Sequence, residues 1–344
     1  METNENKLGV GIRGAGQVAN EHAKAITQNP GLYLAGVCSR TPENAKKLME
    51  AFAPGAKLYA RYEDMLADPA IKIVSVCMPN HLHAGEAILA LKAGKHLILE
   101  KPPAITYEEL YRLKDAATKA GSGVKSVVSF VMRWHPMIAK LKEILAAGGI
   151  GAIYHAEADY WHGIKTSFAS YPWIRKKEFA GGAMITGGCH AADIVRYLKG
   201  AEVAEVCAYR AKAREDFDYH TTLVAAVKFT DGTTGKLSAS LDGINFPYQF
   251  NINLLGTEGL IRDNRVWSKK LYPQAKDATV LDVPTPNSGS VSHHPFKQEI
   301  DNLADGILHG KPIISDVLDA CKSIEISLAI EESARMGKPV KVGM

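Results

Sequence analysis

The stretch Leu8-Gly9-Val10-Gly11-Ile12-Arg13-Gly14-Ala15-Gly16-Gln17-Val18-Ala19 decides the fold of this chain. A short apolar strand runs directly into a G-x-G-x-x-A turn, and the residues that follow continue as a helix. Gly14 can make the tight turn, Gly16 lets a pyrophosphate approach the backbone, and Ala19 keeps the helix close to the strand. Rather than an ordinary glycine-rich turn without ligand, the stretch predicts a dinucleotide site built from Gly14, Ala15, Gly16, Gln17 and Val18.

Outward from this stretch, short apolar runs alternate with helical patterns as far as about Phe130. The alternation is typical of βαβ units around a parallel sheet that helices cover on both faces. The predicted strands are Leu8–Arg13, Tyr33–Ser39, Lys57–Tyr59, Ile71–Met78, His96–Glu100 and Val124–Phe130. We therefore expect an α/β chain whose residues 1–130 form a Rossmann domain, a doubly wound parallel sheet.

The pattern changes after a helical segment at Pro136–Ala147, where long alternating runs follow one another without helices between them. Such runs are typical of antiparallel strands with one face on a core. They are Ala152–Trp161, Val203–Ala211, Thr221–Thr230, Thr234–Leu241, Gln249–Gly256 and Leu260–Asp263, and helical patterns return at Pro295–His309 and Ser315–Met336. Residues 131–344 are predicted to form an α+β substrate domain with a large, mainly antiparallel open sheet. An apolar open face on that sheet predicts a homodimer or homotetramer.

Composition limits the classes of function. Of 344 residues, 41 are Lys or Arg and 37 are Asp or Glu, so the net charge is only +4. A charge so weak and scattered argues against a nucleic-acid partner, and no apolar run reaches the roughly 20 residues that span a bilayer. The five cysteines contain no C-x-x-C pair, which predicts reduced thiols in a cytoplasmic protein. The spacing of His, Cys and Asp matches no compact zinc motif, so we expect no metal.

The end of the second predicted strand bears on the choice of cofactor. An acidic residue there would hydrogen-bond the ribose 2′-hydroxyl of NAD, but this chain has Ser39 and Arg40 instead. Ser39 can donate a hydrogen bond, and Arg40 can pair with a 2′-phosphate or stack beside adenine. The pair favours NADP over NAD. The alternative is that Arg40 lies solvated over the adenine and that NAD is accepted as well.

Two further strands end in polar residues at the carboxyl edge where doubly wound folds bind ligands. Pro79, Asn80 and His83 follow the fourth strand, and Glu100 and Lys101 follow the fifth. We expect all five to lie in the cofactor site. Lys101 is also the main catalytic candidate, since a lysine there can hold a substrate oxygen and stabilise negative charge on it. The alternative is a surface lysine that caps the sheet.

These motifs resemble those of the glucose-fructose oxidoreductase/inositol dehydrogenase (Gfo/Idh/MocA) family over essentially the whole chain. The resemblance rests on Gly14-Ala15-Gly16, Pro79-Asn80-His81-Leu82-His83, Glu100-Lys101-Pro102, Arg133, Gly149-Ile150-Gly151, the segment 181–193 and Gly337-Lys338-Pro339-Val340. It implies a pyranose or polyol dehydrogenase in which Lys101 and His190 are the catalytic residues. His190 would take the hydroxyl proton while a hydride leaves for the nicotinamide. The alternative for His190 is a structural histidine at a helix start.

One position departs from the family pattern. Many members have Asp four residues before the histidine, where this chain has Thr186. Asp193 follows His190 by three residues, so it would share a helix face with it and could orient the ring or bind a sugar hydroxyl. It could equally be a helix-surface carboxylate. His162 and His220 are further candidates for the base.

The substrate site is expected to draw on aromatic and cationic side chains, because aromatic faces suit sugar C–H groups and cations reach hydroxyls. The candidates are Lys101, Arg133, Trp161, His162, Trp173, Arg175, Thr186, His190 and Asp193. For the two tryptophans, packing in the core or at a subunit contact is an equal alternative.

The leading hypothesis is an NAD(P)-dependent oxidoreductase acting on a secondary alcohol of a sugar or polyol. A second hypothesis is a redox-assisted enzyme that keeps NAD(H) bound and cleaves a glycoside. A third is a sensor of nucleotide or sugar that retains the fold without catalysis.

Overall fold

The structure is a computed structural model that describes residues 7–243, 247–286 and 294–343. The chain divides into two compact units. One takes its described residues from Met1–Val131 and Ser290–Cys321, and the other takes them from Met132–Gly289 and Lys322–Met344.

The first unit is built on a parallel sheet of six strands. The strands are β1 (Leu8–Arg13), β2 (Leu32–Cys38), β3 (Lys57–Tyr59), β4 (Ile73–Val76), β5 (His96–Leu99) and β6 (Ser126–Val128). The helices between them are α1 (Gln17–Gln28), α2 (Pro42–Phe52), α3 (Tyr62–Ala67), α4 (Asn80–Lys92) and α5 (Tyr107–Ala120). The strand order β3-β2-β1-β4-β5-β6 confirms the predicted doubly wound sheet.

Burial explains why these strands are short apolar runs. Val10, Ile12, Ile73 and Val74 in the two central strands are fully buried, since helices cover both faces of a parallel sheet. β4 and β6 are shorter than predicted. Apolar residues of the predicted runs continue into buried turns at the strand ends, as at Cys77 and Phe130.

The second unit is built on a larger sheet. Its first strands are β7 (Ile153–Trp161), β8 (Val203–Ala211), β9 (Thr222–Phe229), β10 (Thr234–Ser240), β11 (Gln249–Gly256), β12 (Gly259–Arg262), β13 (Arg265–Ser268) and β14 (Thr279–Val280). Its helices begin with α6 (Pro136–Ala146), α7 (Tyr171–Ile174), α8 (Lys177–Ala180), α9 (Ala183–Thr186) and α10 (Cys189–Lys199). The chain continues through α11 (Phe296–Leu308), α12 (Val317–Met336) and β15 (Val340–Lys341).

The nine strands run in the order β14-β13-β12-β11-β7-β10-β9-β8-β15. Most neighbours are antiparallel, which confirms the predicted class of sheet, and β7 with β10 forms a parallel pair. The sequence did not predict β13, β14 and β15, which have four, two and two residues.

The outer face of this sheet differs from the apolar face expected from sequence. At its centre, Lys236 pairs with Asp159 at 3.0 Å, and Asn253 donates to Glu157 at 3.2 Å. Exposed apolar side chains lie further along the face, on β8 and β9, where Tyr209 is 73% and Val224 is 44% exposed. The outer face of the sheet therefore has a polar centre with apolar side chains to one side of it, whereas an apolar face was expected.

A single boundary at residue 130 does not describe the domains, because α11 belongs to the first unit. Ser129 donates to Glu299 at 2.8 Å, Asn29 donates to Asp301 at 2.7 Å, and the backbone N–H of Val128 donates to the carbonyl of Ser315 at 2.8 Å. These long-range hydrogen bonds draw the segment back onto the parallel sheet. The division between the units then falls within α12.

Candidate active site

The turn between β1 and α1 has the geometry that a dinucleotide requires. Gly14 has φ +101°, and a side chain there would meet the carbonyl oxygen of Cys77 at 2.4 Å. Gly16 is the N-cap of α1, and a Cβ added there would meet no atom within 4 Å. The space beside Gly16 is therefore open to a pyrophosphate, and the helix N-terminus behind it favours an anion. No acidic residue lies in the first turn of α1.

The position of this turn in the sheet also fits a nucleotide site. The strand order reverses between β1 and β4, and ligands of doubly wound sheets bind at the carboxyl ends of strands at such a reversal. Pro79 and Asn80 open α4 at this edge. The residues after β2 are Ser39, whose hydroxyl accepts from the backbone N–H of Thr41 at 3.2 Å, and Arg40, which is exposed. The residues present therefore fit a dinucleotide.

His83 lies at the same edge, but its contacts do not support the predicted role in cofactor binding. It is buried, and its ring nitrogens lie 2.7 Å from the carbonyl oxygen of Pro102 and 2.6 Å from that of Met78. Burial lowers the pKa of His83. A neutral ring donates to one of these carbonyls and lies beside the other, so His83 packs between the segment after β4 and the segment after β5.

Lys101 lies two residues after the end of β5, and its main chain is held by its neighbour Glu100. The backbone N–H of Lys101 donates to Oε2 of Glu100 at 3.2 Å, and Oε1 of Glu100 lies 3.0 Å from Nε2 of His22. Burial tends to raise the pKa of Glu100, but His22 and Lys101 outweigh it and lower that pKa. Glu100 is therefore a buried carboxylate that holds the Lys101 backbone N–H, and its contacts do not support the predicted role in cofactor binding. Sequence reasoning missed His22, whose signal is a polar residue on the buried face of α1.

In the second unit, His190 is the second residue of α10 and lies in a cluster of rings. Its ring is stacked on Tyr160, with centroids 5.8 Å apart and planes at 25°. A hydrogen bond of 3.1 Å joins the Tyr160 hydroxyl to Nδ1 of His162, and the Tyr248 ring meets both edge-on. We call Tyr160, His162, His190 and Tyr248 the ring cluster. It unites His162 and His190, two of the three histidines predicted as candidates for the base.

Two glycines allow this stacking. A Cβ at Gly187 would lie 2.4 Å from Cε1 of Tyr160, and a Cβ at Gly188 would lie 2.7 Å from Cβ of Ala239. The turn before α10 therefore approaches the sheet more closely than any side chain permits. This explains the Gly-Gly pair that precedes Cys189 and His190.

The residues proposed as helpers of His190 have other partners. Nε and Nη2 of Arg133 donate to both oxygens of Asp193, at 2.9 and 2.6 Å, and the Ser323 hydroxyl donates to Oδ1 at 2.7 Å. The side chains of Arg133 and Asp193 are 2% and 0% exposed. The Thr186 hydroxyl, also buried, donates to the carbonyl of Ala180 at 2.8 Å. These contacts do not support the predicted substrate roles, and they assign all three side chains to the interior.

Trp161 is also placed differently from the expectation. Successive side chains of a strand point to opposite faces, and Tyr160 faces the core and His190. Trp161 therefore faces outward, where its Nε1 donates to the Ser238 hydroxyl at 2.9 Å. It lies on the opposite face of the sheet from the ring cluster, and this contact does not support the predicted substrate role.

The remaining candidates lie on or near α7. Trp173 is half-buried against the core, and Arg175 lies 5.7 Å from the centroid of the Tyr171 ring, with Nη1 donating to the carbonyl of Asp216 at 3.4 Å. His220 precedes β9. Burial and the cations Arg210, Lys212 and Lys177 lower the pKa of His220. Among the described residues, no ring contact joins His220 to the ring cluster.

Comparison with known proteins agrees with this geometry. A family model described as an oxidoreductase family with an NAD-binding Rossmann fold (GFO/IDH/MocA) matches residues 8–127, and the GFO/IDH/MocA C-terminal domain matches residues 138–262. The chain belongs to the GFO/IDH/MocA family. It is an oxidoreductase with an NAD-binding domain, as the resemblance predicted.

Relatives in this family cover the chain to different extents. The scyllo-inositol 2-dehydrogenase (NAD(+)) of Bacillus subtilis is 27% identical over 348 residues, which cover 98% of this chain and 97% of the relative. The D-glucoside 3-dehydrogenase of Escherichia coli is 32% identical over 195 residues, 56% of this chain and 54% of the relative. A solved structure of levoglucosan dehydrogenase in complex with NADH has a TM-score of 0.86 and 26% identity, covering 98% of this chain and all (100%) of the other.

Neither a metal cluster nor a membrane-spanning helix is present in the part of the chain that the structure describes. No group of three or more His, Cys, Asp or Glu side chains there could hold a metal ion. None of the helices within the described ranges is long and apolar enough to cross a membrane.

Proposed function

We propose that this GFO/IDH/MocA oxidoreductase is a dehydrogenase that transfers a hydride between a ring secondary alcohol of a sugar or polyol and a nicotinamide nucleotide. The observation that carries the proposal is the placement of Lys101. It follows β5 at the carboxyl edge of the sheet at which the Gly14–Gly16 turn opens for a nucleotide. The relatives named as inositol and glucoside dehydrogenases support this class of substrate.

In this proposal the bound nicotinamide supplies the hydride acceptor, and two side chains act on the substrate hydroxyl. The Lys101 ammonium donates to the substrate oxygen and stabilises the negative charge that grows there. His190, in its neutral form, accepts the hydroxyl proton. Stacking on Tyr160 restricts the plane of the imidazole, which orients its proton-accepting nitrogen before substrate arrives.

His162 is proposed as the further polar group of the substrate site, because its hydrogen bond to Tyr160 places it in the same cluster as His190. The ring cluster offers apolar faces for sugar C–H groups and imidazole nitrogens for hydroxyls. Trp173 and Arg175 remain proposed contacts at its margin. Arg133, Asp193, Thr186 and Trp161 are not part of this proposed site.

For the cofactor, we propose that NADP is preferred over NAD. The support is that Arg40 is exposed beside the end of β2, where a 2′-phosphate would lie, and that neither Ser39 nor Arg40 supplies a carboxylate. Arg40→Ala is expected to weaken binding of NADP by about tenfold or more while NAD binding changes little. Equal losses for the two nucleotides, measured by titration calorimetry, would remove the 2′-phosphate argument.

The assembly and location are also proposals. We propose a cytoplasmic homodimer or homotetramer that covers the exposed Tyr209 and Val224 on the outer face of the nine-stranded sheet. Light scattering of the native protein and of Tyr209→Glu tests this, since the charged variant is expected to dissociate into monomers. A native protein that is already monomeric would contradict it.

One experiment tests the proposed activity against the other hypotheses. The purified protein is denatured to identify any released nucleotide, and fresh protein is then mixed with scyllo-inositol, D-glucosides or levoglucosan and added NAD or NADP. A sustained rise in the absorbance of reduced nicotinamide is the expected result. A retained nucleotide with a cleaved glycoside and no net reduction would overturn the proposal in favour of redox-assisted hydrolysis. Binding of nucleotide and sugar without turnover would favour a sensor.

A further inference from the structure

A buried polar network lies behind Lys101 in the first unit. His22, fully buried on α1, contacts Oε1 of Glu100 with Nε2 at 3.0 Å and the Ser75 hydroxyl with Nδ1 at 2.8 Å. Glu299, on α11, accepts from the Ser129 hydroxyl at 2.8 Å. We call His22, Ser75, Glu100 and Glu299 the His22 network. Hydrogen bonds join α1 to β4 and to the residue after β5, and Glu299 of α11 interacts electrostatically with His22 and Glu100.

The direction of the central hydrogen bond follows from the chemistry of the groups. A carboxylate accepts hydrogen bonds and donates none, so Nε2 of His22 donates to Glu100. Burial alone lowers the pKa of His22, but the Cys77 thiol and the Glu100 carboxylate outweigh burial and raise that pKa well above its ordinary value. The raised pKa favours the imidazolium form of His22, whose Nε2 lies 3.0 Å from the Glu100 carboxylate.

Glu299 is the third ionisable group of the network, and it stays neutral. Burial, together with the negative charge of Glu100, raises the pKa of Glu299 to about 8, although His22 opposes the shift. The other charged and titratable groups near Glu100 are Lys101, which lies next to it in sequence, and His83.

Such a pair is not explained by stability alone. Removing two charges from water is costly, and a buried ion pair is often no more stabilising than apolar side chains of the same volume. The hydrogen bonds of Glu100 indicate what the His22–Glu100 pair does, because the two carboxylate oxygens have different partners. Oε1 is held by His22, and Oε2 accepts from the backbone N–H of Lys101 at 3.2 Å.

We propose that His22 is a positioning residue for Lys101. It holds Glu100 ionised and in place, and Glu100 in turn fixes the main chain from which the Lys101 side chain reaches the substrate. This inference rests on the proposed function, in which Lys101 acts on the substrate oxygen. His22 touches neither substrate nor reacting atoms in this proposal.

Two substitutions at His22 separate positioning from packing. His22→Leu keeps an apolar volume but removes the donor to Glu100, whereas His22→Gln keeps an amide N–H that can reach it. His96→Leu is the matched control. His96 is the first residue of β5, at the end of the strand far from Glu100, and its Nδ1 accepts from the backbone N–H of Lys125 at 2.9 Å. All three variants lose a histidine that supports β5, but only the first loses the donor to Glu100.

We expect His22→Leu to lower kcat by about 10- to 100-fold, with KM and the dissociation constant of the nucleotide changed far less, because small misplacements of a catalytic group have effects of this size. His22→Gln should recover most of the loss, and His96→Leu should keep full activity. Hydrogen exchange, followed by mass spectrometry on peptides spanning residues 97–106, should be faster in His22→Leu and restored in His22→Gln. The exchange measurement needs no substrate.

Three outcomes would overturn the inference. If His96→Leu loses as much kcat as His22→Leu, the effect is one of stability. If the nucleotide dissociation constant of His22→Leu rises in step with the loss of activity, His22 acts through α1 and the nucleotide. If hydrogen exchange around Lys101 is unchanged in His22→Leu, Glu100 holds the Lys101 backbone without His22. Failure of the proposed function has a different signature, because Lys101→Ala would then keep its activity whatever the His22 variants do.

Discussion

Lys101 and His190, the two proposed catalytic residues, are held in place by different kinds of interaction. Lys101 follows a regular parallel strand, and a charged hydrogen-bond network fixes its backbone. His190 begins a helix after a glycine turn, and ring packing on Tyr160 fixes its plane. A flexible side chain such as lysine needs a defined starting point, whereas a rigid ring needs a defined plane. The molecule therefore uses directional hydrogen bonds for the first residue and close packing for the second.

The first prediction, with the largest expected effect, removes the lysine side chain from this pair of residues. Lys101→Ala is expected to lower the rate of hydride transfer by about 10³-fold, within the range lost with a catalytic proton or charge contact. Nucleotide binding should stay nearly intact, because the Gly14–Gly16 turn and not Lys101 receives the pyrophosphate. Single-turnover kinetics and nucleotide titration measure the two effects separately. Lys92→Ala, an exposed lysine of α4, is the control, and full activity of Lys101→Ala would contradict the assignment.

The second prediction tests whether Asp193 is structural. Arg133→Ala leaves the Asp193 carboxylate buried without its guanidinium, which is expected to lower the free energy of unfolding by about 3–5 kcal/mol. The double variant Arg133→Met with Asp193→Leu should lose much less, since it removes both charges. Urea unfolding measures both. A double variant that is stable but inactive would return Asp193 to the catalytic site.

The third prediction tests packing around His190. Gly187→Ala places a methyl group 2.4 Å from Tyr160, so Tyr160 and the ring stacked on it must move. Overpacking of this kind typically lowers the free energy of unfolding by about 1–3 kcal/mol, and we expect kcat to fall as well. Thermal unfolding and steady-state kinetics check the two effects. Gly85→Ala is the control, because a Cβ at Gly85 meets nothing within 4 Å, and an active Gly187→Ala would show that the plane of His190 is not critical.

The smallest expected effect concerns pH. Glu299 in the first unit has a pKa raised from 4.5 to about 8, chiefly by burial. Because the folded state holds the proton more tightly, this group contributes stability that is fully present below pH 4.5 and is lost as pH rises through about 8. Glu299→Gln, which cannot ionise, should gain stability relative to the native protein as pH rises, by at most about 1.4 kcal/mol per pH unit.

Unfolding in urea at about pH 5 and about pH 8 measures this difference. Glu331 is the counterpart in the second unit, where Oε1 accepts from the backbone N–H of Met184 at 3.0 Å. Burial raises the pKa of Glu331 to about 7, so the gain of Glu331→Gln should end about one unit lower. A pH-independent difference for Glu299→Gln would mean that Glu299 is ionised in the folded protein.

The first unit was predicted closely because its signals are local. β1 has the predicted bounds Leu8–Arg13, since an apolar run and a glycine turn define both ends within a few residues. The partners that hold Lys101 could not be predicted in this way. His22 and Glu100 lie 78 positions apart, and no periodicity connects them.

The second unit shows a different limit of sequence reasoning. Alternation predicted β7, but it does not show which of two adjacent aromatic residues faces the core. Trp161 is a substrate candidate from sequence, whereas the structure stacks Tyr160 on His190. Asp193 was placed on a face of α10 by spacing alone, and its partner Arg133 lies 60 positions earlier. Spacing within a helix predicts which side chains are neighbours on that helix. It does not predict the partner of a buried charge, which for Asp193 comes from a distant part of the sequence.

The discontinuity of the first unit has a consequence for biosynthesis. α11 supplies Glu299 and Asp301 to the first unit, whose first strand begins at residue 8. Even so, α11 is translated after almost all of the second unit. As the chain leaves the ribosome, the parallel sheet emerges early but stays uncovered on the side that receives α11. The nucleotide-binding unit can therefore finish folding only near the end of translation, and a chain that stops at residue 286 lacks the helix that buries Ser129.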